Sequence, residues 1–123
     1  MSARRSKHAI MSPRSRCPVS CTLDLVGDRW SLLVVRDLVR GKRRFAEFLE
    51  SSEGIPTNIL ADRLKRLVAA GVVASTRYSD RPPRVEYKLT TKGEELRPIL
   101  RAMVEWGARW SVVSGQWSVI SDQ

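Results

Sequence analysis

The chain has 123 residues, 42% of them hydrophobic, and its 22 Lys and Arg residues outnumber its 13 Asp and Glu residues to give a net charge of +9. This length suits a single domain, and the hydrophobic content is too high for a disordered chain. No apolar run is long enough to span a membrane. The net positive charge indicates a polyanionic partner, either nucleic acid or an anionic membrane surface.

Residues 1–16 are predicted to form a basic, disordered tail. This segment contains five Lys and Arg residues and no acidic residue, so it holds more than half of the excess positive charge. It also lacks the apolar stretch of a secretory signal peptide. We therefore expect a cytoplasmic protein whose two cysteines are thiols and not a disulfide.

Two helices are predicted after the tail. Pro18 suits the first position of a helix that Gly27 ends. Asp28 is suited to cap a second helix over residues 29–40, which Gly41 ends. Apolar residues lie on most sides of this second helix, so we expect it to be the buried centre of the domain.

A helix-turn-helix pattern follows. Apolar residues at helical spacing predict a short third helix that starts at Phe45, and a break over residues 51–54 separates it from a fourth helix over residues 58–70. Leu60, Leu64 and Leu67 share one face of the fourth helix. Two short helices joined by a tight turn are typical of DNA-binding helix-turn-helix motifs.

The next segment changes to a period of two. Alternating residues over 72–78 and 85–89 predict two strands, and residues 79–84 are predicted to be the hairpin tip because proline cannot donate a ladder hydrogen bond. A hairpin directly after a helix-turn-helix is a wing. The predicted fold class is therefore mainly α with a small β-hairpin wing, a winged helix-turn-helix over residues 17–90.

Residues 91–123 are predicted to form a C-terminal helical segment that mediates dimerisation. Thr90 is suited to cap this helix, and Pro98 is expected to bend it or to delay its regular part. Apolar residues recur at alternating spacings of three and four, which is typical of a heptad seam. The seam consists of Leu96, Ile99, Met103, Trp106, Trp110, Val113 and Trp117. We favour a homodimer over packing of this stripe onto its own domain, because small domains rarely keep several tryptophans exposed.

The polar side of the fourth helix supplies candidate DNA-binding residues. A recognition helix enters the major groove with its N-terminal residues nearest the base edges, so Thr57, Asn58 and Asp62 are the candidate readers of sequence. Arg63 and Arg66 suit contacts to bases or phosphates, and Lys65 shares their arc. An ordinary solvated face remains the alternative for this helix considered alone.

Two basic clusters flank the candidate recognition helix. One precedes the helix-turn-helix and the other lies on the hairpin: Lys42, Arg43 and Arg44 in the first, Arg77, Arg81 and Arg84 in the second. Such an arrangement suits a track of DNA phosphates, and prolines beside Arg81 and Arg84 would let these side chains reach a minor groove. The clusters favour double-stranded DNA over a surface that is merely charged.

Short motifs in a fixed order resemble a known family. They are Cys17-Pro18-Val19, Leu25-Val26-Gly27-Asp28-Arg29-Trp30-Ser31-Leu32-Leu33, Arg44-Phe45-Ala46-Glu47-Phe48, Gly54-Ile55, Leu60-Ala61-Asp62-Arg63-Leu64, Pro82-Pro83-Arg84-Val85-Glu86-Tyr87 and Leu89-Thr90 with Gly93. From Cys17 to about Gly107 the chain resembles the HxlR-type transcriptional regulators. The resemblance implies a homodimeric winged helix-turn-helix protein, related in architecture to the MarR group, that binds DNA and regulates genes.

Cys17 is a candidate sensing thiol. It precedes the first helix, whose N-terminus, together with Arg16, would favour a thiolate. The resemblance adds that several family members sense oxidants or electrophiles through the cysteine at this position, which Cys21 does not match. The alternative interpretation, which the residues considered alone favour, is that Cys17 is a small buried residue.

Catalysis, a metal site and a cofactor are not predicted. His8 is the only histidine and lies in the tail, so no Ser-His or Cys-His pair is expected. Cys17 and Cys21 offer two metal ligands without the others that a structural zinc needs, and no phosphate-binding glycine motif occurs. The alternative functions are a nonspecific architectural DNA-binding protein and a winged-helix module for protein contacts. The sequence identifies no small-molecule effector and no operator.

Overall fold

The computed structural model describes residues 15–110, which form six helices and one two-stranded sheet. In chain order the elements are α1 (Pro18–Val26), α2 (Ser31–Val39), α3 (Phe45–Leu49), α4 (Thr57–Ala69), β1 (Val73–Asp80), β2 (Pro83–Leu89), α5 (Thr91–Glu94) and α6 (Arg97–Trp110). This order confirms the predicted fold class, a winged helix-turn-helix. The predictions for the tail before residue 15, and for Val113 and Trp117, concern positions outside the described residues.

The junction between α1 and α2 depends on Asp28. Its Oδ2 accepts hydrogen bonds from the backbone N–H groups of Trp30 at 3.0 Å and Ser31 at 3.2 Å. These amides are among those that a helix N-terminus leaves without an intrahelical partner. The predicted cap is therefore correct, although α2 begins at Ser31, two residues later than predicted.

The core surrounds α2, as its all-round apolar pattern predicts. Val34, Val35 and Leu38 of α2 are buried against residues of the other helices and the hairpin. The other buried hydrophobic residues between positions 15 and 110 are Val26, Val39, Phe48, Ile55, Leu60, Leu64, Leu67, Val72, Val73, Leu100 and Val104. A single core therefore joins the helix-turn-helix, the start of the hairpin and α6.

A buried charged cluster ties α2 to the turn between α3 and α4. Arg36 and Asp37 are each only 3% exposed. Arg36 donates to Glu53 Oε2 at 2.9 Å, to Ser51 Oγ at 3.1 Å and to Asp37 Oδ1. Because a buried guanidinium is tolerated only when its donors are satisfied, this cluster fixes the turn on α2. Sequence analysis missed it, although a charged pair inside an apolar helix was a usable signal.

The hairpin strands are longer than predicted. The prediction that residues 79–84 form the hairpin tip is wrong. Antiparallel pairing continues to the pair Asp80 and Pro83, so only Arg81 and Pro82 connect the strands. Pro83 is the first residue of β2, where a missing N–H costs no interior ladder bond. The register shifts between Arg77 and Ser79, which marks a β-bulge.

Residues 91–110 form two helices, which corrects the prediction of one long helix capped by Thr90. Thr90 caps the short α5 instead, and its Oγ1 accepts a hydrogen bond from Gly93 N. Pro98 is the second residue of α6, a position where its missing N–H needs no partner. A Cβ on Gly93 would lie 2.2 Å from Val72 O, so only glycine allows α5 to lie this close to the hairpin. Leu96, between the two helices, packs against the core and not on an exposed seam.

Candidate nucleic-acid interface

Helix α4 has one buried and one exposed side. Leu60, Leu64 and Leu67 are buried, and the helix packs against α2, α3 and β1. The exposed side carries five of the predicted recognition-helix residues: Thr57, Asn58, Asp62, Lys65 and Arg66. Thr57 is the first helical residue, one position earlier than predicted. The N-terminal turn of α4 is thus free to approach a ligand.

Arg63 differs from the other candidate residues of α4. Its side chain is 16% exposed, whereas that of Arg66 is 54% exposed. Arg63 Nε lies 2.7 Å from Asp28 Oδ2, and Arg63 Nη1 donates to Asp62. The structure therefore places the Arg63 guanidinium between two carboxylates, which corrects its assignment to the freely exposed arc. The helical spacing could not reveal Asp28, which lies 35 positions earlier in the chain.

The first basic cluster is joined to the hairpin. Arg44 Nη2 lies 3.2 Å from Glu86 Oε2, and its guanidinium carbon lies 4.6 Å from the centre of the Tyr78 ring. Tyr87 N donates to Arg43 O at 2.8 Å. These contacts hold the start of α3 beside β1 and β2. Sequence analysis identified Arg44 but not its partners, because pairing across the hairpin is not a local pattern.

Glu47 fixes the turn that carries the first basic cluster. Its Oε1 accepts hydrogen bonds from the backbone N–H groups of Arg43 at 2.7 Å and Arg44 at 3.0 Å. Those two hydrogen bonds hold the pKa of the Glu47 carboxyl below its usual value. The carboxylate therefore remains ionised at neutral pH and keeps the turn in one conformation.

Five predicted DNA-binding cations make no ion pair with any residue between positions 15 and 110, namely Lys42, Arg43, Lys65, Arg81 and Arg84. Arg77 lies 3.8 Å from Asp80, but both side chains are exposed, so that pair is weak. Lys42 is half-buried, and Arg43 is exposed.

A cleft of about 630 Å³ lies between α3 and the hairpin. Its lining residues are Arg44, Phe45, Ala46, Glu47, Tyr78, Pro83, Arg84, Val85 and Tyr87.

The arrangement of a helix-turn-helix followed by a basic hairpin agrees with a family match. The model of the HxlR-like helix-turn-helix family matches residues 25–115. The chain belongs to this family. Proteins of similar sequence include the uncharacterized HTH-type transcriptional regulator sll1512 of Synechocystis sp., 40% identical over 76% of this chain and 70% of that protein. YybR of Bacillus subtilis, also an uncharacterized HTH-type transcriptional regulator, is 39% identical over 82% of this chain and 81% of its own length.

A solved structure of similar fold is the redox regulator HypR in its oxidized form. It is 39% identical to this chain, with a TM-score of 0.72 over 79% of this chain and all of the other. The HxlR-like chain is therefore a transcriptional regulator with a helix-turn-helix DNA-binding fold, and not an enzyme. Between residues 15 and 110 no cluster of His, Cys, Asp and Glu suits a metal ion. No helix in that same segment is long and apolar enough to cross a membrane.

Two helices of this HxlR-like chain leave apolar side chains exposed. Trp106 and Trp110 of α6 are each 68% exposed, and Ile99 and Met103 on the same helix are also exposed. Helix α1 exposes Val19 and Leu23. Leu100 and Val104 of α6 face the core instead. Four residues of the predicted seam thus lie on the side of α6 that points away from its own domain, namely Ile99, Met103, Trp106 and Trp110.

Cys17 is exposed, so its interpretation as a small buried residue is wrong. It occupies the N-cap position of α1, and its side chain makes no capping hydrogen bond. Cys21 is half-buried, and its Sγ lies 3.2 Å from Ser15 O. The two thiols of this HxlR-like protein therefore differ in accessibility.

Proposed function

We propose that this protein is a sequence-specific, double-stranded DNA-binding transcriptional regulator that acts in the cytoplasm as a homodimer. The observation that carries the proposal is the two-sided α4, whose leucines are buried while Thr57, Asn58, Lys65 and Arg66 remain exposed. An exposed polar helix of this kind, next to a basic hairpin, suits insertion into a major groove. Arg81 and Arg84 on the hairpin then neutralise phosphates or enter the adjacent minor groove.

Within this proposal the candidate residues divide into two roles. Asn58, in the first turn of α4, has an amide that suits a bidentate contact to adenine. Lys42, Arg43, Arg44, Arg77, Arg81 and Arg84 serve mainly the sugar-phosphate backbone, which supplies affinity without reading sequence. Arg44 lies beside Glu86 and over the Tyr78 ring at an exposed position, so within the proposal it contributes to the phosphate track next to the hairpin.

The test is a titration of the full chain with labelled duplexes selected from genomic DNA, at salt concentrations from about 50 to 200 mM. We expect a steep loss of affinity with salt, because each neutralised phosphate releases counterions. Asn58→Ala should reduce the preference among duplexes by about tenfold, the usual worth of one base contact. Arg84→Ala should weaken all duplexes alike and make the salt dependence shallower.

Each alternative function predicts a different result from the same titration. A nonspecific architectural protein would bind random and selected duplexes with nearly equal affinity. A protein-contact module would show no steep salt dependence on any duplex. Equal loss of preference from Asn58→Ala and Arg84→Ala would contradict the assignment of α4 to the groove.

A homodimer follows from the exposed faces of α6 and α1 within this proposal. A two-fold dimer presents two copies of α4, so the preferred site should be pseudo-palindromic. Its half-sites should lie about one helical turn apart, or a multiple of that distance. The predicted boundary between the DNA-binding part at residues 17–90 and the dimerisation part at residues 91–123 belongs to the same proposal.

Cys17 is proposed to make DNA binding responsive to oxidants or electrophiles. The support is its exposure at the N-terminus of α1 and the similarity to HypR, which is a redox regulator. Treatment with N-ethylmaleimide should change the affinity for the selected duplex by about tenfold, within the usual range of coupling between two sites. Cys17→Ser should abolish that response, whereas the matched control Cys21→Ser should retain it. If mass spectrometry shows that Cys17 is alkylated and the affinity for the duplex is unchanged, the sensing role of Cys17 is wrong.

A further inference from the structure

Arg63 has an unusual position for an arginine on an exposed helix. Its guanidinium lies between Asp28, at 2.7 Å from Nε, and Asp62, to which Nη1 donates. The side chain is mostly covered, so these two carboxylates occupy the guanidinium on the protein side. Arg63 therefore connects a residue of the exposed arc to a residue of the α1–α2 junction.

Asp28 is a fixed anchor for this connection. Besides Arg63, its carboxylate accepts hydrogen bonds from the Ser31 hydroxyl and from the backbone N–H groups of Trp30 and Ser31. Partial burial opposes ionisation, but the bonds from Ser31, Arg63 and Trp30 outweigh it, so the pKa of Asp28 lies well below its usual value. Asp28 is thus ionised at neutral pH and is fixed to the N-terminus of α2.

Asp62 is the outer end of the connection. It accepts from Arg63, and Arg66 Nη1 lies 3.5 Å from its Oδ2. A carboxylate on a recognition helix can accept a hydrogen bond from cytosine N4, but it repels phosphates when it is misplaced. The direction of Asp62 therefore matters for base preference, and Arg63 holds that direction.

We propose that Arg63 is a positioning residue that sets base preference by tying Asp62 to Asp28, without contacting DNA itself. This inference rests on the proposed function, in which α4 enters the major groove. It differs from the sequence-based assignment of Arg63 to the bases or phosphates. The two assignments predict different salt dependences, because only a residue at the DNA backbone releases counterions.

The experiment compares Arg63→Gln, Asp28→Asn and the double variant in the full chain. Asparagine remains a good helix cap, so Asp28→Asn removes the charge and keeps the start of α2. We expect each single variant to lower the ratio of affinities for the selected duplex and its single-base variants by about tenfold. The double variant should lose no more than either single one, because both break the same connection. The slope of log affinity against log salt should not change.

Two further variants complete the design. Arg66→Gln is the matched control, since Arg66 shares Asp62 but is exposed; it should reduce the salt slope by about one. Arg63→Lys keeps the charge and can bond one carboxylate at a time, so it should restore part of the base preference. It also keeps the test decisive if Arg63→Gln unfolds, which thermal melting monitored by circular dichroism would reveal.

Several results would overturn the inference. A salt slope reduced by Arg63→Gln as much as by Arg66→Gln would place Arg63 on DNA. Additive losses of preference in the double variant would show that Arg63 and Asp28 act separately. Equal weakening on all duplexes would make their role structural only. If the unsubstituted protein prefers no duplex, both the proposed function and this inference are wrong. The other results contradict the inference alone.

Discussion

Replacing Phe48 with alanine is expected to lower the free energy of unfolding by about 3–5 kcal/mol, as for other large aromatic residues in a packed core. Phe48 is 1% exposed and belongs to α3, a helix of five residues. Its ring packs in a T-shaped arrangement with the Tyr87 ring, with centroids 6.3 Å apart. A helix this short is not stable by itself, and Phe48 is its one fully buried side chain, so we expect Phe48 to contribute most to its position. Urea unfolding followed by circular dichroism would measure the loss.

Leu49→Ala is the matched control for this prediction. Leu49 is adjacent in the same helix but is 36% exposed, so its truncation should cost less than about 1.5 kcal/mol. Because a domain of this kind is stable by about 5–15 kcal/mol, Phe48→Ala should also reduce the folded fraction at physiological temperature. Equal costs for the two variants would mean that Phe48 does not anchor α3 to the hairpin.

The local patterns of the sequence were sufficient to predict most of the fold. The spacing of Leu60, Leu64 and Leu67 gave α4 its buried face, and the helix bounds differed from the structure by about two residues or fewer in α2 and α4. The Asp28 cap was also predictable, since a carboxylate before an apolar helix has a local function. In each case the responsible interaction lies within a few residues along the chain.

The errors concern interactions between distant segments. A helical wheel places Arg63 on the polar side of α4, but only the tertiary structure brings Asp28 against it. Arg44 likewise meets Glu86, 42 positions later. Pro83 was predicted to interrupt strand pairing, but it is the first residue of β2. Whether a proline ends or starts a strand depends on whether the partner strand needs a backbone N–H donor at that position. The positions of these side chains follow from packing and not from periodicity.

The proposed homodimer predicts that Trp106→Glu makes the protein monomeric and weakens binding to the proposed pseudo-palindromic duplex by about a hundredfold or more, because two linked contacts gain at least that much avidity. Trp106 is 68% exposed on a side of α6 that also exposes Ile99, Met103 and Trp110. A carboxylate at the centre of this apolar face would be desolvated without a partner on pairing. Sedimentation at micromolar concentration and a DNA titration would measure the two effects.

Arg109→Glu is the control for the negative charge that Trp106→Glu introduces. It introduces the same side chain at an exposed position of α6 outside the seam and changes the net charge by more, yet it should leave the dimer intact. Its DNA affinity should then fall far less than that of Trp106→Glu. If Trp106→Glu remains dimeric under the conditions in which the unsubstituted chain is dimeric, the α6 seam does not join the two copies. If it is monomeric but binds the full site undiminished, one copy of α4 carries the recognition, and the two-fold site proposed from the helix geometry is wrong.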